Sequence, residues 1–171
     1  MGSALNTATL FDIPSDAIEV TSDDCYTPRW VFDAMGLRFD LDVAAPVGGP
    51  LHVPADRYYT AADDGLTQPW DGLVWCNPPY SAMKDWAPRW CRHTAGALMG
   101  LGTSRHSTFG EICRASDAVY IGTVYFSRPD GTVLKFGWTP IFVAFRGVGL
   151  KPAERLAAAD PYGAVLYGRP H

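Results

Sequence analysis

Asn77-Pro78-Pro79-Tyr80 has the residue types to handle an amino group. The segment leaves a short apolar run, Leu73-Val74-Trp75-Cys76, which reads as a buried parallel strand that the two prolines force out of the sheet. The carboxyl edge of an open α/β sheet is where such folds bind ligands. Proline has no N–H, so this stretch offers carbonyls without competing donors. The Asn77 side-chain oxygen and the Pro78 carbonyl can both accept from an amino group. That draws the nitrogen lone pair out of conjugation and makes it nucleophilic. Tyr80 adds a ring on which a base turned out of a duplex can stack. The competing interpretation of the same four residues is a structural turn at a strand end.

The neighbouring elements must hold this segment in place. Thr27 is placed to cap a helix whose first position is Pro28, whose apolar residues are Trp30, Val31, Phe32, Ala34 and Met35, and which Gly36 stops. Leu37–Val43 reads as a strand, with Phe39, Leu41 and Val43 on one face and Asp40 and Asp42 on the other. Ala44–Pro54 is a Gly/Pro-rich loop, Asp56–Thr60 a short strand, and Ala61–Asp71 an acidic loop holding Leu66 and Trp70. Ser81 is placed to cap a helix running to Thr94, kinked at Pro88, with Trp86 and Trp90 turned to the core. Ala97–Leu101, Ala118–Ile121 and Ile141–Phe145 are strands, and Phe109–Ala115 and Lys151–Ala159 are helices. Val124–Phe126 and Val133–Phe136 flank an Asp130-Gly131 hairpin turn, and the chain closes on a short tail. Strands alternating with helices, then a hairpin, give an α/β fold with a mostly parallel sheet and an antiparallel hairpin edge.

A chain of 171 residues suits one domain, and its six Trp, eight Tyr and eight Phe are those of a packed core. Residues 1–24 read as a flexible N-terminal leader and 25–171 as the domain. No apolar stretch is long enough to span a bilayer, and residues 1–10 lack the pattern of a secretory signal, so the expected location is cytoplasmic, with no membrane partner. Cys25, Cys76, Cys91 and Cys113 have no Cys-x-x-Cys spacing and no His at ligand distance in sequence; reduced thiols and no metal are expected.

Five segments in order are similar to one family: Tyr26-Thr27-Pro28-Arg29-Trp30-Val31-Phe32, Phe39-Asp40-Leu41-Asp42-Val43-Ala44-Ala45, Arg57-Tyr58-Tyr59-Thr60, Asp63-Asp64-Gly65-Leu66 with Trp70, and Trp75-Cys76-Asn77-Pro78-Pro79-Tyr80-Ser81. They resemble the phage-type DNA N6-adenine methyltransferase (Dam) family. The resemblance covers residues 25 to 95 and continues more weakly to about 146 through Tyr125-Phe126, Pro140 and Val143-Ala144-Phe145. It implies a single Rossmann-like domain that takes the methyl group of S-adenosylmethionine, leaving S-adenosylhomocysteine, and places it on adenine N6 at specific sites in DNA. It implies Asn77, Pro78, Pro79 and Tyr80 as the catalytic segment. Thr27, Pro28, Asp42, Ala44, Asp63, Asp64 and Asn77 would line the cofactor. Thr27 and Pro28 would lie against its methionine part and Asp42 would face its ammonium. Asp63 or Asp64 would meet its adenine or ribose.

The chain departs from the family in places. Gly48-Gly49-Pro50 replaces more polar residues, the stretch from Gly100 to Thr108 differs, and no insertion is large enough for a separate target-recognition domain. The net charge of −4 lowers the expectation of tight, unaided DNA binding unless Arg89, Arg92, Arg105, Arg114, Arg128 and Lys135 cluster on one face; scattered solvated charge is the alternative. His93 and His106 read as surface residues. Methylation of cytosine N4, or a module of this fold that binds cofactor or DNA without turnover, are the alternative functions. A monomer or weak homodimer is expected.

Overall fold

The apolar runs pair into a seven-stranded mixed sheet in a computed structural model that describes residues 26–102, 107–128, 132–134 and 140–168. The strands are β1 (Phe39–Asp42), β2 (Ala55–Tyr58), β3 (Val74–Cys76), β4 (Gly96–Leu101) and β5 (Ala118–Gly122), then the short pair β6 (Phe126–Ser127) and β7 (Val133–Leu134), then β8 (Ile141–Arg146) and β9 (Ala164–Tyr167). The helices are α1 (Arg29–Met35), α2 (Met83–Arg92), α3 (Ser107–Ala115) and α4 (Lys151–Ala159). The sheet order is β2-β1-β3-β4-β8-β5-β9. From β1 the chain goes to β2 on one side and then crosses to β3 on the other. The carboxyl ends of β1 and β3 therefore flank a topological switch point, where a crevice opens.

Two apolar layers cover the two faces of the sheet. Val31, Phe32 and Met35 of α1, with Ala153 and Leu156 of α4, pack against Trp75, Met99, Tyr120 and the β8 residues Ile141, Val143 and Phe145. Trp86, Ala87 and Trp90 of α2, with Ile112 of α3, pack against Val74, Cys76, Leu98, Phe142 and Ala144. Alternate β8 residues enter opposite cores, which is why β8 reads as a continuous apolar run.

The expected α/β class stands, with three differences. β8 runs antiparallel to both β4 and β5, and β9 antiparallel to β5, so only the β2-β1-β3-β4 half is parallel. The β6–β7 hairpin is not the sheet's edge. It forms a separate two-stranded sheet, anchored by a bridge from Tyr26 to Ser127. The expected short tail contains β9, an edge strand whose residues are mostly exposed and therefore carry no burial pattern. The leader, Cys25, Arg105, His106, the Asp130-Gly131 turn, Lys135 and Phe136 lie outside the described residues. No described helix is long and apolar enough to cross a membrane.

Helix ends also differ. Gly36 takes a left-handed φ of 64° and its N–H bonds to the Phe32 carbonyl, ending α1 as expected. The start of α1 has Pro28 at the capping position with no side-chain bond, so Thr27 does not cap it. Ser81 does not cap α2 either; a 3-10 turn over Tyr80–Ala82 leads into it, with Ala82 at its N-cap.

Candidate active site

Asp42 pairs with Trp75 in the β1–β3 register, so the Asp42 carboxyl and Asn77, two residues after Trp75, emerge together at the carboxyl edge. They share a cleft of about 420 Å³ with Thr27, Ala44, Pro78, Pro79 and Tyr80. Seven sequence-predicted residues are thus brought to one place. Pro28, Asp63 and Asp64 do not line the cleft.

Asp42 is 2% exposed. Burial pushes its carboxyl up to about 7, opposed by a hydrogen bond from the Ala44 N–H at 3.1 Å. The neighbouring Cys76 thiol is raised by burial first and by the Asp42 charge second. A carboxyl so placed is costly to ionise alone, and a cationic group beside it would remove that cost.

Asn77 donates from Nδ2 to Thr27 Oγ1 at 3.3 Å, and Thr27 Oγ1 lies 3.6 Å from Met99 Sδ as its donor. The Asn77 Oδ1 atom is buried and has no hydrogen-bond partner among the described residues. Such orphaned acceptors cost about 1 to 3 kcal/mol, so each one needs a reason. Next to it Pro78 is buried, and Tyr80 meets Phe126 edge-on, ring centroids 6.3 Å apart at 68°. The site therefore combines a buried acid, a free amide acceptor, a donor-free backbone step and an aromatic ring.

The acidic loop reaches the cleft through Ala61, with Thr60 just before it, instead of through its carboxylates. Asp63 accepts from both the N–H and the hydroxyl of Thr60 at 2.8 Å, and these bonds hold its carboxyl below the usual range. Asp64 stands in a left-handed turn with φ 54°, and it is exposed. The loop is pinned to α2. Arg89 donates to the carbonyls of Leu66 and Gln68 and lies 4.8 Å over the Trp70 ring, and Trp70 stacks on Trp86 and donates to the Gly65 carbonyl. Gly65 is required there, because a Cβ would collide with the Val43 carbonyl.

This clamp takes Arg89 out of the expected basic face. Arg92 and Arg114 sit in the last turns of α2 and α3. The segment from Tyr80 leads into α2 at the cleft, and α2 ends where β4 begins, so Arg92 lies at the opposite edge of the sheet. Lys84, in the first turn of α2, is the exposed cation nearest the Asn77–Tyr80 segment in sequence, and sequence reasoning passed over it. Also missed as lining residues were Tyr26, His52, Trp86 and Phe126. Trp86 followed a helical core period, and one edge of a core residue can still reach a cleft. Phe126 had a signal in the Tyr125-Phe126 pair; His52 had none.

Neither the curated proteins nor the solved structures hold a match to this chain. Residues 15–97, the stretch that carries α1, β1, β2, β3, α2 and with them Asp42 and Asn77 to Tyr80, match the family model of DNA N-6-adenine-methyltransferase (Dam).

Proposed function

We propose that this chain transfers a methyl group from S-adenosylmethionine to the N6 amino group of adenine in DNA. The observation that carries the reading is the buried Asn77 Oδ1 acceptor, on a cleft-lining residue, with no hydrogen-bond partner among the described residues. An orphaned acceptor beside a proline-proline step is suited to an amino group that arrives with the substrate.

The lining also fits the donor. Asp42 supplies a buried carboxyl whose ionisation a cation would favour, and Ala44 and Thr60 line the wall around it. When bound, S-adenosylmethionine supplies an electrophilic methyl group on a sulfonium. Asp42 would hold its ammonium, and Asp63, by fixing Thr60, would keep the opposite wall in place. Asn77 Oδ1 and the Pro78 carbonyl each accept one N–H of the adenine amino group, freeing the nitrogen lone pair for in-line attack. Tyr80, backed by Phe126, stacks on the base. The surplus proton leaves the methylated nitrogen for solvent. Positioning and polarisation carry the rate, with no covalent enzyme intermediate.

The test is transfer of label from tritiated S-adenosylmethionine to DNA, followed by nucleoside analysis. The wild-type chain yields N6-methyladenine, and Asn77→Ala lowers kcat by about 10² to 10³, as for other positioned polar contacts. Cofactor affinity, read by calorimetry, stays unchanged. Label on cytosine would move the acceptor to N4. Cofactor binding with no transfer to any DNA would mean a module without turnover.

A further inference from the structure

The terminal amide of Asn77 has two orientations related by a half-turn, and only one suits the chemistry above, on which this inference rests. With Oδ1 toward the cleft it accepts from an amino group. With Nδ2 there it presents protons to protons. The fold holds the first orientation: Nδ2 donates to Thr27 Oγ1, and Oδ1, on a residue that lines the cleft, has no hydrogen-bond partner among the described residues.

Thr27 alone would not select that orientation. A hydroxyl both donates and accepts, so it could equally give its proton to Oδ1 and turn the amide over. The third group decides. Met99 Sδ is 3.6 Å from Thr27 Oγ1, has no proton to give, and sits at 0% exposure where no water competes for it. With the hydroxyl proton on sulfur, Thr27 offers lone pairs to Asn77, and only the NH₂ half of the amide satisfies them. Thr27 is free for this role because it makes no capping bond to α1.

We infer that Met99 and Thr27 form a positioning relay that fixes the Asn77 amide with its acceptor toward the substrate amino group. The relay joins three elements: Met99 on β4, Thr27 in the segment entering α1, and Asn77 beyond β3. Thioether sulfur is a weak acceptor, so the bias in the empty site is modest. The incoming amino group completes it by occupying Oδ1.

The experiment uses the full chain and three variants, Thr27→Val, Thr27→Ser and Met99→Leu. In wild type, nuclear magnetic resonance finds the Asn77 side-chain NH₂ close to the Thr27 methyl group and slow to exchange its protons. The signal is assigned by its absence in Asn77→Ala. Thr27→Val keeps the side-chain shape, loses that protection, and lowers kcat about five- to tenfold, the rate equivalent of one neutral hydrogen bond. Its kcat falls by a larger factor than its affinity for S-adenosylmethionine. Thr27→Ser restores most of the rate and the protected signal. Met99→Leu, close to wild type in volume and so able to fold if Thr27→Val does not, speeds amide exchange and lowers kcat by a smaller factor. Unchanged amide protection in both Thr27→Val and Met99→Leu overturns the relay. So does a Thr27→Val defect confined to cofactor affinity, which would assign the hydroxyl to the cofactor. A wild-type chain that methylates nothing overturns the proposed function, and the resonance measurements still decide the relay.

Discussion

Replacing Asp42 by Asn should stabilise the ligand-free chain at neutral pH while weakening its hold on a cation. The carboxyl ordinarily titrates at 3.8 and is pushed up to about 7 in the fold. The folded chain therefore binds this proton more tightly than the unfolded chain. Stability contributed by the protonated group is intact below pH 3.8. It drains away as pH rises toward 7, and then levels off. At 1.36 kcal/mol per pH unit, the full loss is on the order of 4 kcal/mol, more than half of it between pH 5 and pH 8. Asn cannot ionise, and its oxygen can still accept from the Ala44 N–H, so Asp42→Asn escapes the loss. Urea unfolding of both proteins at pH 5 and pH 8 should show the variant's relative stability rising by about that amount. The same variant should bind S-adenosylmethionine more weakly by about 1.5 to 3 kcal/mol, the worth of a charged hydrogen bond. Wild-type affinity should itself weaken about tenfold for each pH unit below 7, since the ammonium needs the carboxylate. A stability difference identical at pH 5 and pH 8 would refute the buried-acid argument. Unchanged affinity in the variant would refute only the ammonium assignment.

Tyr80→Ala should lower both kcat and DNA affinity, by about 1 to 3 kcal/mol for the lost stacking, whereas Tyr80→Phe and Tyr80→Trp should retain most activity in the tritium assay. Loss of activity in Tyr80→Phe would show that the hydroxyl matters more than the ring. Arg89→Met should destabilise the chain by about 2 to 4 kcal/mol through its two carbonyl bonds and its place over Trp70, with hydrogen exchange rising first across residues 61–70. Protection unchanged in that loop would break the clamp argument. Gly65→Ala should cost about 1 to 3 kcal/mol in urea unfolding, because its Cβ meets backbone at Val43, which cannot move without disturbing the end of β1. A neutral Gly65→Ala would refute the requirement for glycine beside Val43.

The parts of the fold that could be read from sequence are those with burial written into their pattern. β8 is apolar at five consecutive positions because both faces are covered, and α4 begins and ends where its sequence suggests. β9 was illegible for the opposite reason. Its four residues lie between Gly163 and Gly168, mostly exposed, and only pairing with β5 makes them a strand. The hairpin was legible as a pair. Its detachment from the main sheet was not, because Tyr26 anchors it from a hundred residues away in sequence. In the site, the place of Asn77 to Tyr80 at the carboxyl end of a strand was legible because the prolines that stop the strand are local to the segment. Asp42 was legible as the acid at a strand end. Thr27 was misread as a cap because its true partners, Asn77 and Met99, are 50 and 72 residues distant.

Thr27, Asp42 and Asn77 share a location. Thr27 stands at a helix entrance without capping it, and among the described residues the buried Asp42 carboxyl has no cation beside it and the Asn77 acceptor has no donor. The buried Asp42 carboxyl and the unpaired Asn77 acceptor each cost stability, and the bond from the Ala44 N–H offsets only part of the first. All three line one cleft at the switch point between β1 and β3. A strand end needs neither a buried acid nor an orphaned amide to terminate, so the turn interpretation of Asn77 to Tyr80 leaves both unexplained. A ligand with a cationic group for Asp42 and a substrate with an amino group for Asn77 would relieve both costs at once. The stability of the chain should therefore rise on binding by more than contact area alone would give, because two unfavourable groups are satisfied as well as buried.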